Sequence, residues 1–441
     1  MSNQNTKASN RSHIVLIPGF AGFDALGQLE YYAGVTDWFQ KRRAPNQVLH
    51  YFDNFPTAAV VTRAARLQSY LAKRIVRGEI SGDDQITLVG HSTGGLDIRR
   101  LLWNLRHRDN KRIVVDGKAE VEPADILHRV RRVVFLSVPH WGTNIADWVR
   151  AQAMLRMAVV AEMRAAVAGS QVLLLDWIQT SIMGSTARLT GSGLFRAVQD
   201  ALSEANEYYG KRSQERKAEA HEAASELSLY LRHMASDFAA IDDLASRPHP
   251  SSKPVSPAHF TAADRQRELR PTRPGHEMKF LSYVTIGRRP FRFDLDRPAP
   301  LWELSSPLTY PEITRDSELS LGTDIAYRTC YRACAAGPFR PPVLQEKVTR
   351  RLAGAPRHAL EMWDNDGIVN TLSMLWPAGD NVLVPGDHMD IVGHYKPVKA
   401  ERGGGRKFRA YDLLKSDSGF KEKTFQRVWK EIFAFCRSSL R

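Results

Sequence analysis

The apolar positions of the first 150 residues alternate between two periods. Short β-branched runs, "HIVLIP" (13–18), "QVLHYF" (47–52), "QITLVG" (85–90) and "VRRVVFLSVP" (130–139), predict strands. Between them, residues 26–41, 58–77 and 95–106 place apolar side chains at helical spacing. Runs that stay apolar throughout suit strands buried on both faces. The alternation therefore predicts an α/β protein whose mostly parallel sheet carries helices on both sides. In such a sheet, reactive groups collect beyond the carboxyl ends of the strands.

From about residue 145 to 244 the pattern turns helical. "AQAMLRMAVVAEMRAAVAG" and "QVLLLDWIQTSIMG" are apolar, whereas "KRSQERKAEAHEAA" (211–224) is a charged helix face. These helices bury one face on the core, cover a cleft as a lid that meets a greasy substrate, or do both. Residues 247–276, rich in Pro and Ser, predict a surface connection. The sheet resumes at "KFLSYVTIG" (279–287), and an irregular insertion follows at about 288–356. After it come the turn "DNDGIVNTLSM" (364–374), the strand "NVLVPG" (381–386), the segment "DHMDIVGHY" (387–395) and a closing helix at about 421–436. The expected organisation is a disordered tail (1–12), the first half of an α/β core (13–149), a helical lid or cap with its connection (150–278) and the second half of the core (279–441).

Lys and Arg number 62 against 48 Asp and Glu, a net charge of +14. The basic residues are scattered, as in Arg42, Arg43, Arg131, Arg132, Arg288, Arg289, Arg350 and Arg351, and no nucleic-acid-binding motif accompanies them. They read as a solvated surface, with no nucleic-acid partner expected. The three cysteines, Cys330, Cys334 and Cys436, supply neither a disulfide framework nor a paired zinc knuckle. Cys330 and Cys334 are four apart and could share a helix face as buried thiols. The first strand follows a polar start with no signal-peptide apolar core. The most apolar later stretch, 151–178, is broken by Arg156, Glu162, Arg164 and Asp176, so it does not read as a membrane span. The expectation is a soluble, cytoplasmic protein.

The chemistry starts at "ITLVGHSTGGLDIRR" (86–100). A serine hydroxyl becomes a nucleophile only when a base takes its proton and the backbone presents its oxygen. "GHSTG" fits G-x-S-x-G, and here a buried strand precedes it and an apolar-periodic helix follows, so Ser92 is the expected nucleophile. An oxyanion hole then needs two backbone N–H groups. Thr93, next after the nucleophile, offers one; Phe20, in the glycine-rich turn "LIPGFAGFDALG", offers the other. The acid should come late in the chain. Asp364, Asp366 and Asp387 compete for that role, and Asp366 in "NDGIV" is preferred over an ordinary Asx turn. The base should follow the acid: His388 occupies that slot, with His394 and His140 as competitors. "SVPHWGTNIADWV" (137–149) should line the same cleft, so Trp141, Ile145 and Trp148 are either an apolar wall for substrate or plain core.

"VLIPGFAGFDALGQLEYYAGVTDWF", "VGHSTGGLDIRRL", "VVFLSVPHWGTNIADWV", "SYVTIG", "NDGIV" and "DHMDIVGHY" together resemble successive landmarks of the bacterial true lipases, the family I triacylglycerol lipases. The resemblance implies an α/β-hydrolase fold, with Ser92, Asp366 and His388 as triad and the N–H groups of Phe20 and Thr93 as oxyanion donors. Lipases of this family often hold a structural calcium, for which Asp390 stands at one ligand position, although no upstream partner aspartate is evident; no cofactor is required. The sequence departs from the family in placing Pro18 where a histidine is common and Thr93 where glutamine is frequent. With no secretion signal or disulfide pair, the expectation shifts from a secreted fat-digesting enzyme to an intracellular serine carboxylester hydrolase acting on a small-molecule, lipid or polyester ester. An acyltransferase or thioesterase would use the same triad, and a non-catalytic hydrolase-like binding module would be expected to lack one of its members.

Overall fold

The computed structural model describes residues 11–20, 25–26, 29–107, 112–151, 239–246, 256–270, 277–289, 327–328, 330–337, 339, 347–395, 412, 414 and 416–437. The elements that build the fold are, in chain order, β1 (Ser12–Ile17), β2 (Ala25–Leu26), β3 (Leu29–Glu30), α1 (Val35–Arg42), β4 (Gln47–Tyr51), α2 (Val60–Val76), β5 (Gln85–His91) and α3 (Thr93–His107). They continue with β6 (Ile113–Val115), β7 (Ala119–Val121), α4 (Pro123–Arg129), β8 (Val130–Leu136), α5 (Asn144–Ala151), α6 (Ala240–Leu244) and α7 (Ala262–Leu269). The last are β9 (Lys279–Ile286), β10 (Arg350–Arg351), β11 (Asp380–Pro385) and α8 (Glu422–Arg437).

Seven strands form one sheet in the order β10-β11-β9-β8-β5-β1-β4, and every pairing is parallel. Successive residues of each strand point to opposite faces, and both faces are covered. Ile14 and Leu16 of β1 join the cluster beneath α1 and α8, with Trp38, Phe39, Trp429 and Phe433. Val15 and Ile17 join the cluster beneath α2, α3 and α4, with Leu67, Leu71, Leu101 and Ile126. Each such side chain contributes roughly 1.5–3 kcal/mol by leaving water. The architecture is α/β, a parallel sheet covered by helices on both faces. Among the described residues, no helix is long and apolar enough to cross a membrane.

Two local expectations need correction. The helix anticipated over 26–41 begins only at Val35, because Gly34 is left-handed with a φ of 71° and β2 pairs antiparallel with β3. The connection anticipated over 247–276 contains α7, started by a capping box in which Thr261 and Asp264 satisfy each other's backbone N–H groups. Glu268 of α7 is buried and accepts from Arg99 Nε and Nη2, each at 2.8 Å, docking the helix onto α3. The lid helices expected in the span 150–278 lie mostly outside the described residues, as do residues 290–326 and 340–346 of the 288–356 insertion.

Candidate active site

Strand β5 runs straight into α3, and Ser92 is the single residue between them. Its φ of 52° is in the left-handed region, which costs a non-glycine residue roughly 1–2 kcal/mol. The turn is held by Ser92 N–H donating to Leu136 O at 2.9 Å and Gly95 N–H donating to Ser92 O at 3.0 Å. A side chain at Gly94 would overlap the carbonyl oxygens of Ile17 and Pro18, so the elbow presses directly on the end of β1. Ser92 is thereby presented at the carboxyl edge of the sheet and the amino end of a 15-residue helix, where negative charge is favoured.

Asp366 and His388 come together at that edge. Asp366 sits in the turn "NDGIV", where Gly367 has a φ of 94°, and is fully buried. Its Oδ1 accepts the N–H groups of Ile368 and Val369 at 3.0 and 2.8 Å. Its Oδ2 accepts His388 Nδ1–H at 2.8 Å and the Thr285 hydroxyl at 2.6 Å. Thr285 in turn takes the hydroxyl proton of Ser137 at 2.7 Å, and Ser137 is itself left-handed, with a φ of 51°. His388 N–H donates to Asp366 O at 3.0 Å, so backbone and side chain of His388 are both fixed on Asp366. The His388 ring lies against His91, centroids 4.7 Å apart, which brings it to the neighbour of Ser92. Among the described residues no hydrogen bond joins Ser92 Oγ to His388.

The competing residues are engaged elsewhere. Asp364 accepts Glu361 N–H at 2.8 Å within its own turn. His140 lies buried between Phe135 and Trp376, and burial first, then Arg99 and Arg265, hold its imidazole well below its ordinary pKa. His394 Nε2–H donates to Tyr31 O at 3.1 Å. Asp387 accepts the Ser416 hydroxyl at 2.6 Å.

On the opposite rim, Phe20 packs beside the core cluster under α2 and α3, and Thr93 is fully buried, so its backbone N–H is what it can offer an oxyanion. A buried guanidinium that the sequence did not reveal fastens this rim. Arg63 of α2 donates from Nη2 to the carbonyls of Pro18 and Gly19 at 2.8 and 3.2 Å, and from Nε to both oxygens of Asp97 on α3 at 3.1 and 2.9 Å. Desolvation pushes Asp97 up to about 6, opposed by the charge and hydrogen bonds of Arg63. Residues 21–24 of the loop lie outside the described residues.

Of the wall residues, Trp141 is half-buried beneath the Arg265 guanidinium, and its backbone N–H donates to Ser373 Oγ at 3.1 Å. Ile145 and Trp148 are half-buried on α5. The start of α5 is tied to the acid turn, since the Thr143 hydroxyl donates to Ile368 O and Asn144 N–H to Asn370 Oδ1.

Asp390 has two acidic companions, Asp387 three residues before it and Asp412 after it: the ligand oxygens of all three lie within 4.8 Å of one another. Burial and then repulsion from Asp412 push Asp387 up to about 7; burial and then Asp387 push Asp390 well above the usual carboxylate range. Clustered oxygen donors whose charges repel one another suit a hard divalent cation such as calcium.

No protein-family model and no curated protein matches the chain. Among solved structures it is similar to EstA from Clostridium botulinum (18% identity, TM-score 0.41, covering 93% of this chain and 87% of that one). It is also similar to Staphylococcus hyicus lipase (14%, 0.43, 99% and 97%) and to lipase 1 from Pelosinus fermentans (16%, 0.43, 98% and 100%). These neighbours are bacterial lipases and esterases.

Proposed function

We propose that the protein is a serine carboxylester hydrolase with Ser92, His388 and Asp366 as its triad. One observation carries this: a histidine held at 2.8 Å on a buried aspartate lies beside a left-handed serine elbow at the carboxyl edge of a parallel sheet. His388 Nε2 takes the Ser92 proton as Oγ attacks the ester carbonyl, and the oxyanion is held by the N–H groups of Phe20 and Thr93. The alkoxide then leaves with the proton from His388. Water attacks the acyl-enzyme, giving its proton to His388, and the carboxylic acid departs as Ser92 is reprotonated. Asp366 accepts Nδ1–H, fixing the tautomer and stabilising the imidazolium as it forms. Ile145 and Trp148 contribute an apolar wall for the acyl or alcohol part, with Trp141 at its margin. Asp387, Asp390 and Asp412 hold a structural calcium beside the base.

Ser92→Ala is expected to lower kcat on a p-nitrophenyl acyl ester by about 10⁴ or more, by the pattern of triad knock-outs. A fluorophosphonate should label Ser92 in the wild-type protein. An unimpaired Ser92→Ala variant would remove the proposal.

A further inference from the structure

Gly19, Tyr31, His91 and His388 form a continuous chain of hydrogen bonds whose direction the atoms themselves dictate. His91 Nε2 lies 2.8 Å from the carbonyl oxygen of His388, which can only accept, so Nε2 carries a hydrogen. Burial above all, and then the nearby His388, hold His91 well below its ordinary pKa; the ring is neutral and Nδ1 is a bare lone pair. The Tyr31 hydroxyl, 2.6 Å from Nδ1, must therefore donate its one hydrogen there. Its oxygen is left to accept Gly19 N–H at 2.9 Å. Burial keeps the phenol protonated, raising it well above its ordinary range.

The two ends of this chain have different tasks. Gly19 precedes Phe20, and a Cβ at Gly19 would come within 2.7 Å of Ser92 Cβ, so a small shift of this peptide changes the distance between nucleophile and donor loop. His388 is gripped at N–H by Asp366 O and at C=O by His91 Nε2–H, which sets the azimuth of its ring. We propose that Tyr31 and His91 are positioning residues that lock the oxyanion loop to the catalytic base, so that the two halves of the site move as one unit. Neither touches the reacting atoms. The role rests on the ester-hydrolase reading, because only acyl transfer needs donor loop and base in a common register.

The test is a double-mutant cycle between Tyr31→Phe and His91→Gln, with rates per active site titrated by fluorophosphonate and with Tm measured on each variant. Glutamine keeps a donor for His388 O and loses the acceptor for Tyr31. Each single variant is expected to lose about 10- to 100-fold in kcat with KM within about two-fold, the scale of a sub-ångström misplacement. The double variant should lose little more than the worse single, because both cut the same chain. His91→Asn, which keeps the acceptor and loses the donor to His388 O, should stay slow. Wild-type kcat per titrated site, whatever happens to Tm, would overturn the relay by reducing both residues to packing, and so would losses that multiply. Ser92→Ala, assayed alongside, separates the two readings. Full activity there sinks the hydrolase site itself; an inactive Ser92→Ala with an unimpaired Tyr31→Phe sinks only the relay.

Discussion

Four donors converge on the Asp366 carboxylate, and only one of them belongs to the base. Ile368 and Val369 hold Oδ1, while His388 and Thr285 share Oδ2. A carboxylate bound this fully cannot rotate away from Nδ1, and Thr285 is the donor that can be removed without touching the backbone. Thr285→Val keeps the shape and deletes the hydroxyl, leaving Oδ2 to His388 alone and the Ser137 hydroxyl without its acceptor. A hydrogen bond to a charged group contributes about 1.5–3 kcal/mol. We expect kcat to fall by roughly 10- to 100-fold, KM to stay within about two-fold and Tm to drop by a few degrees. Steady-state kinetics with active-site titration and a thermal melt check this. An unchanged kcat would reduce Thr285 to a core residue.

At the scale of elements, the helices on one face are tied to the rim of the site by Arg63. The residue is fully buried, and it joins α2 to Asp97 of α3, to the carbonyls of Phe55 and Pro56, and to those of Pro18 and Gly19. Arg63→Met fills similar space but leaves Asp97 buried beside unpaired carbonyls. Removing one partner of a buried pair costs about 3–5 kcal/mol. Chemical denaturation should read that loss, and Asp97→Asn in the same background should recover part of it by deleting the orphan charge; no recovery would mean that Arg63 acts through packing alone. The sequence shows where such networks begin and end but not that they close. Strands β1, β5, β8, β9 and β11 were legible because they are apolar on both faces. The elbow, the "NDGIV" turn and His388 were legible because each is a local pattern at the end of a strand. Arg63 was not, since Asp97, Pro18 and Gly19 stand 34 to 45 positions away and an arginine on a helix ordinarily faces water. Tyr31 and Thr285 were hidden similarly, because an aromatic in a loop or a threonine in a strand satisfies the apolar pattern whatever its hydroxyl does. The β6–β7 hairpin did carry a local signal, Asp116-Gly117, both residues having positive φ. It went unread because its strands are only three residues each.

The whole molecule closes at the carboxyl edge of the sheet, where the loop after β11 meets the segment leading into α8. Ser416 and Ser418 donate to Asp387 and Asp390, which flank His388, so the approach to the last helix is fastened to the loop carrying the base. Asp412 adds a third carboxylate to that junction. Without a cation, the fold keeps a proton on Asp387 that an unfolded chain releases above about 3.8. The folded state then binds more protons than the unfolded one between that pH and about 7, so chelated protein should lose stability from this site as pH rises through the window. A calcium ion at the junction replaces the proton and reverses the trend, since it binds only the ionised carboxylates. At calcium near 100 times its Kd the native state gains about 2.7 kcal/mol, or roughly 3 °C in Tm for a chain of this size. The rise in Tm on adding calcium to chelator-treated protein should therefore be small at pH 5 and approach that value at pH 8. Asp390→Asn should abolish the difference while leaving the ring contact between His91 and His388 in place. Differential scanning calorimetry at the two pH values, with magnesium as the control ion, measures it. A Tm indifferent to calcium at pH 8 would mean that the serine hydroxyls and backbone N–H groups alone hold the three carboxylates.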